Sequence, residues 1–345
     1  MHQLLCEILE QPRVLSEMLD RQYANIHEIA GYIRAHDCQY VLIAARGTSD
    51  NAATYAKYVL GTLNHLPVAL AAPSMYTIYR RPPHLAKTLV MAISQSGASP
   101  DIVSVIEDAR SQGMPTLAIT NMPDSRLAVA AERVIDLGAG EERSVAATKT
   151  YTAELLTIAL LSTALRGDVE GLATLRGVPD AVAAVLEGHD EVRQRAERYR
   201  YMAHSAVIAR GYNYATAFEI ALKLKELTYC EATPYSSADF MHGPFAILER
   251  GFPLIVAAPG GEMLPSVAEL VERARAREAE LVIISDQEAL LARAHTPLRL
   301  PVSLPEWVSP LTAIIPGQLL AYYLALTKGL DPESPRGLHK VTETR

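Results

Sequence analysis

Short apolar runs alternate with longer segments of mixed character along most of the chain. Residues 40–44, 68–71, 88–93, 116–120 and 133–137 have the length and apolar content of buried strands. The intervening stretches 51–63 and 100–112 carry apolar residues at helical spacing, with Asp101 and Glu107 on the polar side of the second. Such alternation predicts a parallel, doubly wound α/β sheet. Residues 1–35 read as helical with a break at Pro12, 148–165 as a long apolar helix, 180–201 as a charged joining helix, and 314–326 as a C-terminal helix.

The same layout occurs twice. Ala45-Arg46-Gly47 returns as Ala209-Arg210-Gly211, and at that one offset the run 89–93 falls on 253–257 and 117–119 on 281–283 without a gap. A period this long predicts two domain-sized lobes related by duplication, not a solenoid of short units. The expected organisation is a helical segment 1–35, a first lobe 36–175, a linker helix 176–200, a second lobe 201–330 and a polar tail 331–345. The copies differ in chemistry. The loop after the third strand is Ser94-Gln95-Ser96-Gly97-Ala98-Ser99 in the first lobe and Ala258-Pro259-Gly260-Gly261-Glu262-Met263 in the second. One lobe is therefore expected to grip a ligand while the other supplies different groups.

Composition narrows the classes. A length of 345 residues gives two lobes ample core, and a net charge of −7 argues against a general nucleic-acid surface. Cys6, Cys38 and Cys230 form no CxxC, which disfavours a disulfide scaffold or zinc site and fits a reducing cytoplasm. The sequence shows no run of about 18 uninterrupted apolar residues and no basic, apolar leader, so neither membrane span nor secretion is expected.

Three hydroxyl-bearing loops stand at the C-terminal ends of predicted first-lobe strands: Thr48-Ser49, Ser94-Gln95-Ser96 with Ser99, and residues 144–148, with Lys149 next. That edge is where doubly wound sheets bind ligands, and each loop leads into a helix N-terminus that attracts anions. A single such serine more often caps a helix. Three on one edge favour a phosphate, and the absence of GxxxxGK[ST] excludes a nucleotide P-loop. In the second lobe Glu219, Lys223 and Glu226 share a helix face with apolar residues interleaved. That pattern fits either a solvated ion-pair face or a held carboxylate that moves a proton. His242 precedes Gly243-Pro244 at a rigid turn and, alone, reads as a surface histidine; Lys340 in the tail, alone, reads as a frayed end.

Taken together, Arg46-Gly47-Thr48-Ser49, Ser94-Gln95-Ser96-Gly97, Ala146-Ala147-Thr148-Lys149, Ala221-Leu222-Lys223-Leu224-Lys225-Glu226, His242-Gly243-Pro244 and Pro335-Arg336-Gly337-Leu338-His339-Lys340-Val341-Thr342 resemble the sugar isomerase (SIS) family over nearly the whole chain. Within it the chain looks most like the isomerase half of glucosamine-6-phosphate synthase and the isomerising glucosamine-6-phosphate deaminases. The resemblance implies tandem flavodoxin-like SIS lobes. It implies that Thr48, Ser49, Ser94, Gln95, Ser96 and Ser99, together with Glu142, Ala147 and Lys149, line the sugar-phosphate site. It implies that Glu226 moves the proton between C1 and C2 with Lys223 beside it. His242 would open the sugar ring, in a homodimer where it reaches the neighbouring subunit's site, and Lys340 would form a Schiff base, making the tail a lid. No metal or redox cofactor is implied.

Two departures bear on the reaction. The chain shows no counterpart of the synthase's glutaminase segment with its terminal cysteine, and Ala147 stands where the synthase tends to have serine. Both favour the hydrolytic direction: glucosamine 6-phosphate and water to fructose 6-phosphate and ammonia. The alternatives are a galactosamine-6-phosphate deaminase/isomerase, a fructosamine-6-phosphate deglycase, and a non-catalytic amino-sugar-phosphate sensor.

Overall fold

The computed structural model describes residues 2–340. They form two compact units. The first lobe comprises Arg13–Glu142 and Lys149–Gly177, with His339 and Lys340. The second comprises residues 2–12, Arg143–Thr148 and Val178–Leu338.

The first lobe is built on a five-stranded, all-parallel sheet: β1 (Tyr40–Ala44), β2 (Val68–Leu70), β3 (Thr88–Ile93), β4 (Thr116–Thr120) and β5 (Arg133–Asp136). The spatial order is β2-β1-β3-β4-β5. The inner strands β3 and β4 are buried at every position, which is why they read as continuous apolar runs and not as alternating ones. The edges β2 and β5 are partly exposed, and β5 carries Arg133 and Asp136.

The second lobe repeats the plan with β6 (His204–Ala209), β7 (Glu231–Ser236), β8 (Pro253–Ala257), β9 (Glu280–Ser285) and β10 (Thr296–Arg299). Its order, β10-β9-β8-β6-β7, is the first lobe's order read from the other side. Pro234 and Pro297 fall on its two edge strands, where a missing N–H breaks no inner ladder. Gly47 and Gly211 keep the same backbone, with φ of 55° and 62°, whereas Gly97 and Gly261 share only a positive φ, at 58° and 154°. These values lie where a Cβ is disfavoured, so the duplicated turns retain glycine although their neighbours diverged.

The helices follow the pattern with shifted ends. Gln3–Leu9 and Gln11–Ala35 separate at Glu10, and Pro12 lies within the first turn of the second helix, where proline is tolerated, so it does not make the break. The first helix groups with the second lobe and most of the second helix with the first lobe. The single charged helix expected over residues 180–201 is Val178–Leu186, then His189–Ala196, then a 3₁₀ turn Glu197–Tyr199. Gly188 caps the middle piece and accounts for the interruption. All three group with the second lobe, where the first two pack on the C-terminal helix Pro310–Thr327. That helix is long and apolar enough to cross a membrane by length and composition, but 89 % of it is buried inside the protein, as for a core helix.

Candidate active site

In the first lobe, β1 and β3 are neighbours whose chains continue in opposite directions across the sheet, so the crevice above their C-terminal ends is its topological switch point. Arg46-Gly47-Thr48-Ser49 leaves β1 there and Ser94–Ser99 leaves β3. Arg46 reaches the second loop's helix: its Nε donates to Asp101 Oδ2 at 2.9 Å, and Nη2 lies 2.8 Å from the same oxygen. Asp101 is 1 % exposed and also accepts from Ile102 N–H at 2.9 Å. The expectation that Asp101 lies on a polar helix side is thus overturned: it is the buried pin between the two loops.

The serine loop is a tight turn. Ser94 Oγ accepts from Gly97 N–H at 3.2 Å and Ser96 Oγ from Ala98 N–H at 3.3 Å. A Cβ at Gly97 would fall 2.1 Å from Ser125 Oγ, so the turn closes only around glycine. Ser99 stands at the N-cap of helix Pro100–Ser111, yet its side chain makes no cap bond. Capping therefore does not account for that hydroxyl. Gln95, Ser96 and Ser99 are half-buried, as is Thr48 at the start of its own helix.

Three expected ligand residues are placed otherwise. Ser49 is buried and donates to Glu154 Oε1 at 2.7 Å, which spends its hydroxyl on packing between helices Thr48–Leu63 and Lys149–Arg166. Lys149 is buried with its ammonium beside Gly140 and is not an open cation at the loop edge. Glu142 is buried, and a carboxylate repels a phosphate. It accepts from Thr150 N–H at 3.2 Å and Thr150 Oγ1 at 2.8 Å, and it holds Lys340 Nζ at 2.9 Å. The tail lysine is therefore not frayed. Val341 and Thr342, the end of the tail signature, lie outside the described residues.

In the second lobe, helix Tyr214–Thr228 carries the ionisable triad. Lys223 Nζ lies 2.6 Å from Glu226 Oε2 and 3.3 Å from Glu219 Oε1. Lys223 and Glu219 are fully buried, which rules out a solvated ion-pair face; the Glu226 side chain keeps 21 % exposure. Burial alone would depress the lysine's pKa. The charges and hydrogen bonds of both glutamates outweigh it and hold the ammonium above the ordinary lysine range. The helix is seated closely: a Cβ at Gly317 of the C-terminal helix would fall 2.4 Å from Ile220 Cγ1.

Tyr229 follows the triad in the left-handed conformation that ends this helix. Its hydroxyl accepts from Arg336 N–H at 2.9 Å, and the Arg336 guanidinium sits 3.9 Å over its ring. His242 is exposed at the end of a short helix; its backbone N–H donates to Asp239 O at 3.1 Å, while its imidazole makes no hydrogen bond or ion pair with a described residue. Ala147 is half-buried and offers only a methyl group.

The SIS domain family profile matches residues 36–164 and again 202–328. The chain belongs to the SIS domain family. Among curated SIS relatives, the isomerising glutamine–fructose-6-phosphate aminotransferase of Pyrococcus horikoshii is 34 % identical over 348 residues, covering 98 % of this chain and 57 % of that protein. The chain thus spans somewhat over half the length of such relatives. Among solved structures, the C-terminal domain of glucosamine-fructose-6-phosphate aminotransferase from Francisella tularensis superposes with a TM-score of 0.87 at 26 % identity, covering 97 % of this chain and 98 % of that one. The glucosamine-6-phosphate deaminase of Thermotoga maritima superposes at 0.79 with 19 % identity, covering 99 % and 100 %, a likeness of fold alone.

Sequence reasoning missed Asp101 as a buried pin, Thr150 as the second partner of Glu142, and the Tyr229–Arg336 anchor. Asp101 follows Pro100 in a first helical turn, where an acid normally reads as a dipole partner. The other two link positions far apart in sequence or rest on a side chain with no motif.

Proposed function

We propose that this SIS protein is a glucosamine-6-phosphate deaminase of the isomerising type, converting glucosamine 6-phosphate and water to fructose 6-phosphate and ammonia. The observation that carries the reading is the triad: a buried ammonium beside a carboxylate that stays partly open. The ammonium lies 2.6 Å from Glu226 Oε2, so a buried cation holds in place the carboxylate that would act as general base.

In this reading the ring of glucosamine 6-phosphate opens to the aldehyde with His242 as the acid–base group. Glu226 takes the C2 proton to give an enolamine and returns it to C1, leaving an imine at C2. Water adds to that carbon and ammonia leaves, so the atoms balance with no oxidant. Phosphate is held by Thr48, Ser94, Gln95, Ser96 and Ser99, through hydroxyls and the amides of the helices they open. Lys340 is held as its ammonium by Glu142; on losing that proton its amine condenses with the C2 carbonyl of the open ketose with loss of water, and hydrolysis returns the amine and the ketose. Ala147, in place of a larger hydroxyl, belongs to the same hydrolytic assignment. The names of the curated relatives support amino-sugar-phosphate chemistry as the substrate class.

The reading includes a cytoplasmic homodimer in which His242 serves the neighbouring subunit. The exposure of its imidazole, which has no partner among the described residues, supports that role. Mixing inactive His242→Ala and Glu226→Gln chains should restore part of the activity through hybrid dimers; no recovery from a mixture shown to exchange subunits would remove His242 from this role. The overall reading is tested by ammonia release from glucosamine 6-phosphate, with galactosamine 6-phosphate and a fructosamine 6-phosphate in parallel. Release from one of the latter alone would keep the chemistry and change the substrate.

A further inference from the structure

The second lobe has its own switch point, between β6 and β8. By the repeat, its loop Ala258–Met263 stands where the first lobe has Ser94–Ser99, and it opens the 13-residue helix Leu264–Ala276. The hydroxyls are gone; Gly261 stands in the position of Gly97, at a φ of 154° against 58°, and the loop still presents backbone amides at the helix start.

Those amides are engaged from within the lobe. Glu306 Oε2 accepts from Glu262 N–H at 2.7 Å and Oε1 from Met263 N–H at 3.2 Å. A third amide, Gly260 N–H, donates to Asp286 Oδ1 at 2.7 Å. The fit depends on the missing side chain at Gly261, where a Cβ would fall 2.4 Å from Glu306 Cδ; Gly211 lies in ordinary contact range, its Cβ position 3.7 Å from Glu306 Oε1. Gly211 is the repeat partner of Gly47, so the carboxylate sits against both duplicated turns, as a ligand at a switch point would. Two amides at a helix start converging on one carboxylate form an anion site with its anion present.

We propose that the second lobe retains a phosphate-type anion site that the chain's own Glu306 carboxylate occupies, restricting each chain to one phosphosugar. The proposal rests on reading the first-lobe serine loop as the phosphate holder. Glu306 acts as a specificity residue: its negative charge takes the amides and repels a phosphate monoester that would otherwise compete for them.

The test is calorimetric titration with inorganic phosphate of the full chain, Glu306→Ala, Glu306→Ala/Gly261→Ala and Ser96→Ala. Glu306→Ala should bind two phosphates per chain where the parent binds one, with at least a tenfold gain in affinity at the second site. Gly261→Ala, which puts a methyl into the space the carboxyl held, should remove that gain. Ser96→Ala should weaken only the parent's site, so failure of the serine-loop reading shows as a parent that binds no phosphate while Glu306→Ala still gains one. If Glu306→Ala is unstable, phosphate should raise its melting temperature more than the parent's. A folded Glu306→Ala that gains no phosphate, or an unstable one that phosphate does not rescue, overturns the proposal.

Discussion

Lys223 Nζ lies 2.6 Å from Glu226 Oε2, and the two differ sharply in environment: the lysine is sealed inside the second lobe, while the glutamate keeps 21 % of its side chain open. The buried member fixes the charge and the open member is available to act. Glu219, 3.3 Å from the same ammonium and fully buried, is a second carboxylate that shares that one positive charge.

Removing the lysine should therefore cost more than a surface ion pair would. Lys223→Met strands the buried Glu219 carboxylate and should destabilise folding by about 3–5 kcal/mol. Adding Glu219→Leu should recover most of that, because an apolar replacement of both partners leaves no buried charge. Urea denaturation of the two variants distinguishes this from simple loss of packing, in which case the double variant would be worse than the single.

The same pair sets an alkaline limit. The folded pKa of Lys223 is raised above its unfolded value, so its contribution is fully present below about pH 10.4 and is lost as pH rises through the folded value. Buried tyrosines share this window, among them Tyr322, whose pKa burial pushes up to about 12. The diagnostic quantity is accordingly the difference between parent and Lys223→Met. It should shrink above about pH 10.4 and stay flat between pH 7 and 9.

In the first lobe the Arg46–Asp101 pin should affect binding more than turnover. Asp101→Asn loses a charge-assisted bond worth roughly 1.5–3 kcal/mol, discounted here because Arg46 is half exposed. A rise in KM for the sugar phosphate of about three- to tenfold with kcat nearly unchanged is expected. An equal fall in kcat would place Asp101 in the chemistry instead.

Lys340 is held by Glu142, so freeing it should expose its amine. In Glu142→Gln, borohydride trapping of a fructose 6-phosphate Schiff base at Lys340 should be roughly fivefold faster, the effect of losing about 1 kcal/mol from a charge-assisted contact. Peptide mapping locates the adduct. Slower trapping would mean that Glu142 assists the lysine and does not merely store it.

Both sheets were legible because their inner strands are parallel and buried on two faces, which leaves continuous apolar runs such as residues 88–93 and 116–120. The duplication was legible because Gly47 and Gly211 answer one backbone demand twice. Motif residues were readable as types, but their surroundings were not. Nothing in the sequence distinguishes the buried hydroxyl of Ser49, spent on Glu154, from the half-buried Ser96 nearby in the fold. Glu142 and Lys340 come together over a separation that no periodicity spans. Glu306 carries no motif at all, and only the placement of its carboxylate on the Glu262 and Met263 amides gives it meaning.

The most direct measurement is ammonia release from glucosamine 6-phosphate by the purified chain and by Glu226→Gln. The account predicts rapid release by the parent and a loss on the order of 10²–10⁴-fold in the variant, with sugar-phosphate binding kept. Tight binding with no release from any amino-sugar phosphate, and no effect of Glu226→Gln, would contradict it and leave a sensor in place of an enzyme.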